Sequence, residues 1–374
     1  MRLGITCFAG IGGSGVVATE LGKGLAARGH EVHFISSEMP FRLEDLSERL
    51  FFHSVHPFPY PVLHSPLYDL ALATRISEVV AEHQLDLLHV HYAIPHAISA
   101  YLARQICPRP FRFITTLHGT DTRLVGLDPS YRPITQFSLQ QSDGVTAVSR
   151  YLAEATREDF TLNQPITVIP NFVDTQRFQR RDLPPCYREH FARADEHLIV
   201  HVSNLRPVKR LEEVIRAFAQ VQRALPARLV VVGDGPDRPL AERLVCELEI
   251  ADRVTFAGKI ARVENVLAVA DLFLMASEME SFGLAPLEAL SCGVPVVGYA
   301  VGGVPEVVEH DVCGYLVPLS DLDALSEAAL AILRDAETLR RFRAAARAHA
   351  VASFDEQYGI TTYERYYEQL LGNS

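Results

Sequence analysis

Short β-branched runs alternate with helical stretches along this chain, and the alternation starts twice. Residues 3–8, 32–36, 85–91, 113–117, 144–149 and 166–169 read as strands in the first round. Residues 198–203, 228–232, 254–257, 271–276, 294–299 and 314–317 read as strands in the second. Helical spacing fills the gaps, as at Leu211, Val214, Ile215, Phe218 and Val221, which are expected to be core. Such alternation implies an α/β chain with parallel sheets and right-handed crossovers. A chain of 374 residues is long enough for two domains. We expect two doubly wound, Rossmann-like domains facing an interdomain cleft: residues 1–170, and residues 171–354 after a crossing at Pro170-Asn171-Phe172-Val173-Asp174. Everything after Ser320 reads as helical.

Composition narrows the partners. Lys and Arg number 35 against 46 Asp and Glu, so the formal charge is 35 − 46 = −11. Nucleic acid and anionic membrane are poor partners for such a surface. The six cysteines are scattered without paired spacing, which argues for a reducing compartment and against a disulfide framework or cysteine zinc site. No apolar run reaches the ~18 residues of a membrane span, and Met1-Arg2 leads straight into a strand rather than a signal peptide. A cytoplasmic protein is expected.

In an open α/β sheet, ligands bind at loops that follow the C-terminal ends of strands. The first such loop is glycine-rich: Gly10-Ile11-Gly12-Gly13-Ser14-Gly15, followed by a helix over 16–27 with Val16, Leu21 and Leu25 inward. Its backbone can approach a phosphate closely. The spacing also fits a dinucleotide fingerprint, with Glu38 posing as the ribose acid, but glycine-rich first turns serve many phosphate ligands. Residues 37–68 form an irregular excursion with a short strand near 51–55. His89 and His91 share one strand face; a metal reading lacks a nearby acid or cysteine, so packing or site lining is the expected role. Tyr92, just past that strand, and His96, at the next helix start, are better placed to touch a ligand. His118-Gly119-Thr120-Asp121 again follows a strand.

The second half repeats the design. Asn204-Leu205-Arg206-Pro207-Val208-Lys209-Arg210 places three cations within five residues at a strand-to-helix loop, which suits a diphosphate. Gly233-Asp234-Gly235-Pro236 and Gly258-Lys259-Ile260 follow later strands. Glu280-Ser281-Phe282-Gly283-Leu284 then leads into a helix over 284–290, whose first amides have no intrahelical acceptor. Glu280 stands at the mouth of this loop and Glu288 within the helix. Paired acids of this kind can hold sugar or ribose hydroxyls, although a capping acid and a solvated helix face would look the same in isolation.

Glu280-x7-Glu288 with Ser281-Phe282-Gly283 inside it, followed by Glu288-Ala289-x-x-Cys292-Gly293-x-Pro295-Val296, resembles the signature of retaining nucleotide-sugar glycosyltransferases of family 4. The resemblance implies the GT-B fold. It also implies that Glu280 and His118 meet the donor sugar, Glu288 the ribose, and the 258–260 backbone, at Ile260, the base. In the family an Arg and a Lys five residues apart grip the diphosphate. Lys209 fits the Lys, but Asn204 stands at the Arg position, so Asn204 or Arg206 takes that contact. The likeness extends along nearly the whole chain, through Gly12-Gly13-Ser14-Gly15, Pro40-Phe41-Arg42-Leu43, His91-Tyr92-Ala93-Ile94-Pro95-His96-Ala97, Thr115-Thr116-Leu117-His118-Gly119-Thr120-Asp121 and Val208-Lys209-Arg210. It resembles in particular those members that act at the first step of bacillithiol biosynthesis, which implies transfer of N-acetylglucosamine from UDP-N-acetylglucosamine to the hydroxyl of L-malate with retention.

The roles this implies divide by half-chain. His118, Glu280 and Lys209 are the expected catalytic set. Gly13, Asn204, Arg206, Lys209, Ile260, Glu280, Ser281, Phe282, Gly283, Leu284 and Glu288 are expected donor contacts. Ser14, Arg42, Tyr92 and Thr116 offer hydroxyls and a cation to a dicarboxylate acceptor. No cofactor and no metal are expected, and a homo-oligomer stays open. The resemblance also implies that a last helix, about 355–374, packs back on the N-terminal domain. The rivals are a family member with another acceptor, a UDP-sugar epimerase, a non-catalytic nucleotide-sugar binder and an NAD-dependent enzyme.

Overall fold

The structure is a computed structural model that describes residues 1–10, 12–43, 47–59, 67–181 and 183–372. Ile11 of the glycine-rich turn, and 44–46 and 60–66 of the irregular excursion, lie outside the described residues. The chain forms two compact units: Met1–Asn171 together with Glu356–Ser374, and Phe172–Asp355.

The N-terminal unit is built on seven strands: β1 (Arg2–Thr6), β2 (Glu31–Ser36), β3 (Leu50–Ser54), β4 (Leu87–His91), β5 (Arg112–Leu117), β6 (Gly144–Ala147) and β7 (Ile166–Val168). They pair in parallel in the order β3-β2-β1-β4-β5-β6-β7. Parallel neighbours need crossovers, and the crossover helices cover the sheet. That is why β4 is buried at all five residues, its histidines included.

The C-terminal unit carries β8 (His197–Val202), β9 (Ala227–Val232), β10 (Val254–Gly258), β11 (Leu272–Leu274), β12 (Val296–Tyr299) and β13 (Gly314–Val317). Their order is β10-β9-β8-β11-β12-β13, again parallel. The helix Leu211–Ala224 buries Leu211, Val214, Ile215, Phe218 and Val221 against this sheet, as its periodicity predicts. Each such side chain contributes roughly 1.5–3 kcal/mol of burial. β11 is shorter than its apolar run suggests. Met275 and Ala276 stay buried but leave the strand and start the loop that follows it. β12 begins only after Pro295, which has no N–H to give the ladder.

Both sheets reverse direction once. The strand order turns between β1 and β4 in one, and between β8 and β11 in the other. Loops leaving those four strands flank the crevice where open α/β sheets bind ligands.

The last helix, Glu356–Gly372, belongs to the N-terminal unit. Arg28 donates to Thr361 at 2.8 Å, His30 pairs with Glu364 at 2.7 Å, and Tyr367 reaches His89 at 2.7 Å. No helix among the described residues is long and apolar enough to cross a membrane.

Candidate active site

In the C-terminal unit the loops after β8 and β11 are tied together through the backbone. The Glu278 N–H donates to the Val208 carbonyl at 2.8 Å. The Gly303 N–H donates to the Glu280 carbonyl at 2.9 Å. A Cβ at Gly303 would stand 2.4 Å from the Ser281 carbonyl oxygen, so only glycine lets these turns close. The result is an ion pair between Lys209 and Glu280, whose side chains are 20% and 16% exposed. Ser277 Oγ donates to the same Glu280 oxygen at 2.9 Å. A lysine and a carboxylate from loops 71 residues apart are thus held side by side at a switch point.

His201 supports this arrangement from inside the sheet. Its Nδ1–H donates to the Leu274 carbonyl at 2.9 Å, which leaves Nε2 to accept from Ser203 Oγ at 2.8 Å. Burial pushes its pKa down to about 4, so it is a neutral neighbour of the Lys209–Glu280 pair near pH 7. The Ser203 hydroxyl oxygen also accepts from the Leu205 N–H at 3.2 Å and so shapes the start of the cationic loop. Neither Ser277 nor His201 stood out in the sequence, because their roles depend on partners brought in by other strands.

The remaining C-terminal candidates separate by exposure. Asn204 and Arg206 are exposed, and among the described residues Arg206 has no ion-pair partner. Arg210 does not belong with them: it pairs with Glu213 at 2.5 Å and donates to Ser320 Oγ at 2.7 Å. The helix Leu284–Ser291 starts at Gly283, whose φ of +104° suits glycine, and carries no side-chain cap. Ser281 and Leu284 are half-buried beside that open end, and Glu288 is buried within the helix. The Phe282 side chain turns inward, which leaves the backbone as the part of this residue that can serve a donor, as expected for residues 281–284. It is 3% exposed and packs edge-on against Phe354 at 5.9 Å. Ile260 is half-buried just beyond the end of β10.

In the N-terminal unit the helix Gly13–Ala27 begins directly after the β1 loop, with Gly12 extended at its cap. Ser14 Oγ donates to the Tyr92 hydroxyl at 3.0 Å, joining the loops of β1 and β4 across the switch point. Tyr92 adopts φ +89°, a strained value for a residue with a side chain. Its ring lies 5.2 Å from Phe8 and 5.3 Å from His118. His118, half-buried, places Nε2 2.9 Å from His91 Nδ1. Burial first, and then the proximity of His96, pushes the His118 pKa down to about 3. The ring is therefore a neutral hydrogen-bonding group rather than a cation. Arg42 lies 3.8 Å from Glu20.

Asp121 organises both loops, a role its sequence context did not signal. Its buried carboxylate accepts from the Ala93 N–H at 2.8 Å, the Gly119 N–H at 2.9 Å and the His118 N–H at 3.2 Å. Two other expectations fail on burial. His96 is fully buried, with Nδ1–H donating to the His91 carbonyl at 2.5 Å, so it braces the β4 loop instead of meeting a ligand. Thr116 is also fully buried. Its hydroxyl is engaged with His89 Nε2 and Thr146 Oγ1, each at 2.6 Å, and is not presented to an acceptor. His89 completes that internal chain through Tyr367, in keeping with a packing role.

Two family profiles match the chain. Glycosyltransferase Family 4 covers residues 11–177, and Glycosyl transferases group 1 covers residues 187–349. N-acetyl-alpha-D-glucosaminyl L-malate synthase of Bacillus anthracis is 44% identical over 99% of this chain and 97% of its own length. A GDP-mannose-dependent alpha-(1-6)-phosphatidylinositol monomannoside mannosyltransferase of Mycolicibacterium smegmatis is 31% identical over 74% of this chain and 75% of its own. Among solved structures, Anabaena Alr3699/HepE in complex with UDP-glucose superposes with a TM-score of 0.82 over the full length of both chains, at 22% identity. The chain therefore belongs to the family 4 glycosyltransferases and is an enzyme of the GT-B fold.

Proposed function

We propose that this glycosyltransferase carries N-acetylglucosamine from UDP-N-acetylglucosamine to the hydroxyl of L-malate with retention of the α configuration, opening bacillithiol biosynthesis. The observation that carries the reading is the Lys209–Glu280 pair at the β8/β11 switch point. The 44% identity of the B. anthracis enzyme along the whole chain supports the choice of acceptor and, through its name, the sugar.

Breaking the bond between the sugar C1 and the phosphate oxygen leaves the electron pair on UDP. Lys209, with Arg206 or Asn204 and the Leu284 amide, meets that charge; the Gly13 amide is assigned the same work in the N-terminal unit. Glu280 turns from Lys209 towards a sugar hydroxyl, so one ion pair supplies both a cation for phosphate and an acceptor for the sugar. His118, neutral, donates or accepts a hydrogen bond at the sugar. Glu288 holds the ribose, and the backbone at Ile260 the base. The malate hydroxyl attacks the face the phosphate leaves, forms the new C1–O bond and passes its proton to a phosphate oxygen of departing UDP. Ser14, Tyr92 and Arg42 hold the malate. The cations and amides do the work a bridging metal would do, so no metal is required.

The test follows UDP release from UDP-N-acetylglucosamine with a panel of hydroxy acids, a lipid acceptor and no acceptor, with EDTA present. Turnover with L-malate, unaffected by EDTA, is expected. Silence with malate beside turnover of another acceptor overturns the acceptor assignment, and loss of rate in EDTA overturns the metal-free mechanism.

A further inference from the structure

The sheet edge farther from β4 holds a group of side chains that the transfer reaction does not use. His33 on β2, His53 on β3 and His83 at the end of the helix Tyr68–His83 each offer one ring nitrogen, and these three atoms lie within 4.8 Å of one another. The parallel register sets this up. His33 faces Phe51, so His53, two residues on, falls on the same face of the sheet. Rings of His33 and His83 are 4.4 Å apart, and those of His53 and His83 are 5.0 Å apart.

The hydrogen bonds fix the protonation of the innermost ring. His33 is fully buried, and its Nε2 stands 2.9 Å from a Glu31 carboxylate oxygen. The ionised carboxylate can only accept, so Nε2 carries the proton and Nδ1 is a bare lone pair. That lone pair lies 2.9 Å from His53 Nε2, which donates to it. A carboxylate behind a histidine, turning the far nitrogen towards a shared point, is the arrangement found behind metal-bound imidazoles.

We propose that His33 Nδ1, His53 Nε2 and a ring nitrogen of His83 form a three-histidine site for a divalent first-row transition ion, with zinc as its best occupant. Imidazole suits this class of ion. Zinc–nitrogen bonds of about 2.0–2.1 Å in a tetrahedron place ligand nitrogens about 3.3 Å apart. The 2.9 Å His33–His53 separation reaches that by opening one hydrogen bond, with His53 moving its proton from Nε2 to Nδ1. Water completes the shell. His53 and His83 are only half-buried, so the ion can enter from solvent. Its effect would be to clip the edge strand β3 and the end of the helix Tyr68–His83 to β2. It is not part of the transfer chemistry.

Zinc titrated calorimetrically into the chelator-treated full-length protein tests this. One ion per chain is expected, with a dissociation constant of about 1 μM or tighter, together with a rise in Tm. Cobalt should give the intense visible band of a tetrahedral nitrogen site. His53→Ala and His83→Ala should each abolish the stoichiometric step while leaving UDP release intact. Glu31→Gln should keep the stoichiometry and weaken binding by about 10–100-fold. No zinc bound by the wild type, no visible cobalt band, or binding unchanged in the His53→Ala/His83→Ala double variant would overturn the proposal. The wild-type arms need no variant to fold.

Discussion

Lys209 and Glu280 form an ion pair, and in the proposed mechanism this pair divides the labour between two residues. The carboxylate positions the lysine, and the proposal has it turn to the sugar when the donor binds. Lys209→Ala should lower turnover about 10²–10³-fold, the usual cost of losing one preorganised charge donor. Steady-state kinetics on a variant with an unchanged circular dichroism spectrum checks this; near-normal turnover removes Lys209 from the mechanism. The buried histidines make a second prediction. Burial holds His89 at about 3 and His96 and His201 at about 4, against 6.5 when unfolded. Between those values the unfolded chain binds more protons, so stability rises with pH through this window and is lost as pH falls below 6.5. Thermal melts should show Tm dropping by several degrees from roughly pH 7 to pH 5; a flat profile contradicts the assigned neutral rings. Residue types were legible in sequence here, but their company was not. Thr116 and His96 sit at loop-adjacent positions that suggest ligand contact. Their side chains are spent on His89, Thr146 and the His91 carbonyl, partners that only the folded sheet supplies.

At the scale of elements, the strands were legible because a parallel strand covered by crossover helices is apolar nearly throughout. Their ends were less so. β11 stops at Leu274 although Met275 and Ala276 are equally apolar, since burial and strand pairing part company where the loop turns towards Glu280. Phe282 shows a related division: its backbone lies in the loop after β11 while its side chain packs in the core against Phe354. The Glu356–Gly372 helix shows how a distant element props the N-terminal loops. Tyr367 is 1% exposed and bonds His89, which bonds Thr116 on β5. Tyr367→Phe leaves His89 Nδ1 without its partner in a closed site. Chemical denaturation should report a loss of about 1–3 kcal/mol. An unchanged midpoint would mean the chain of hydrogen bonds carries no stability. The triad of His33, His53 and His83 was invisible in sequence for the same kind of reason, since strand register and a helix end bring it together.

For the molecule as a whole, the repeated alternation was the most informative part of the sequence, because it dictates two sheets, each with its own reversal of strand order. Every loop assigned to the sugar or the diphosphate leaves the end of β1, β5, β8 or β11, and three of those strands, β1, β8 and β11, flank the reversals. The acceptor is different: Ser14, Tyr92 and Arg42 could greet many hydroxy acids, and only the whole-chain likeness to the B. anthracis enzyme points to malate. In the proposed mechanism, departing UDP, stabilised by these loops, is replaced on its own face by the malate hydroxyl. Proton NMR of the product formed from UDP-N-acetylglucosamine and L-malate reads this directly. An α-linked N-acetylglucosaminyl malate, with the small anomeric coupling of that configuration, is the predicted result; a β-linked product, or free N-acetylglucosamine alone, would contradict it.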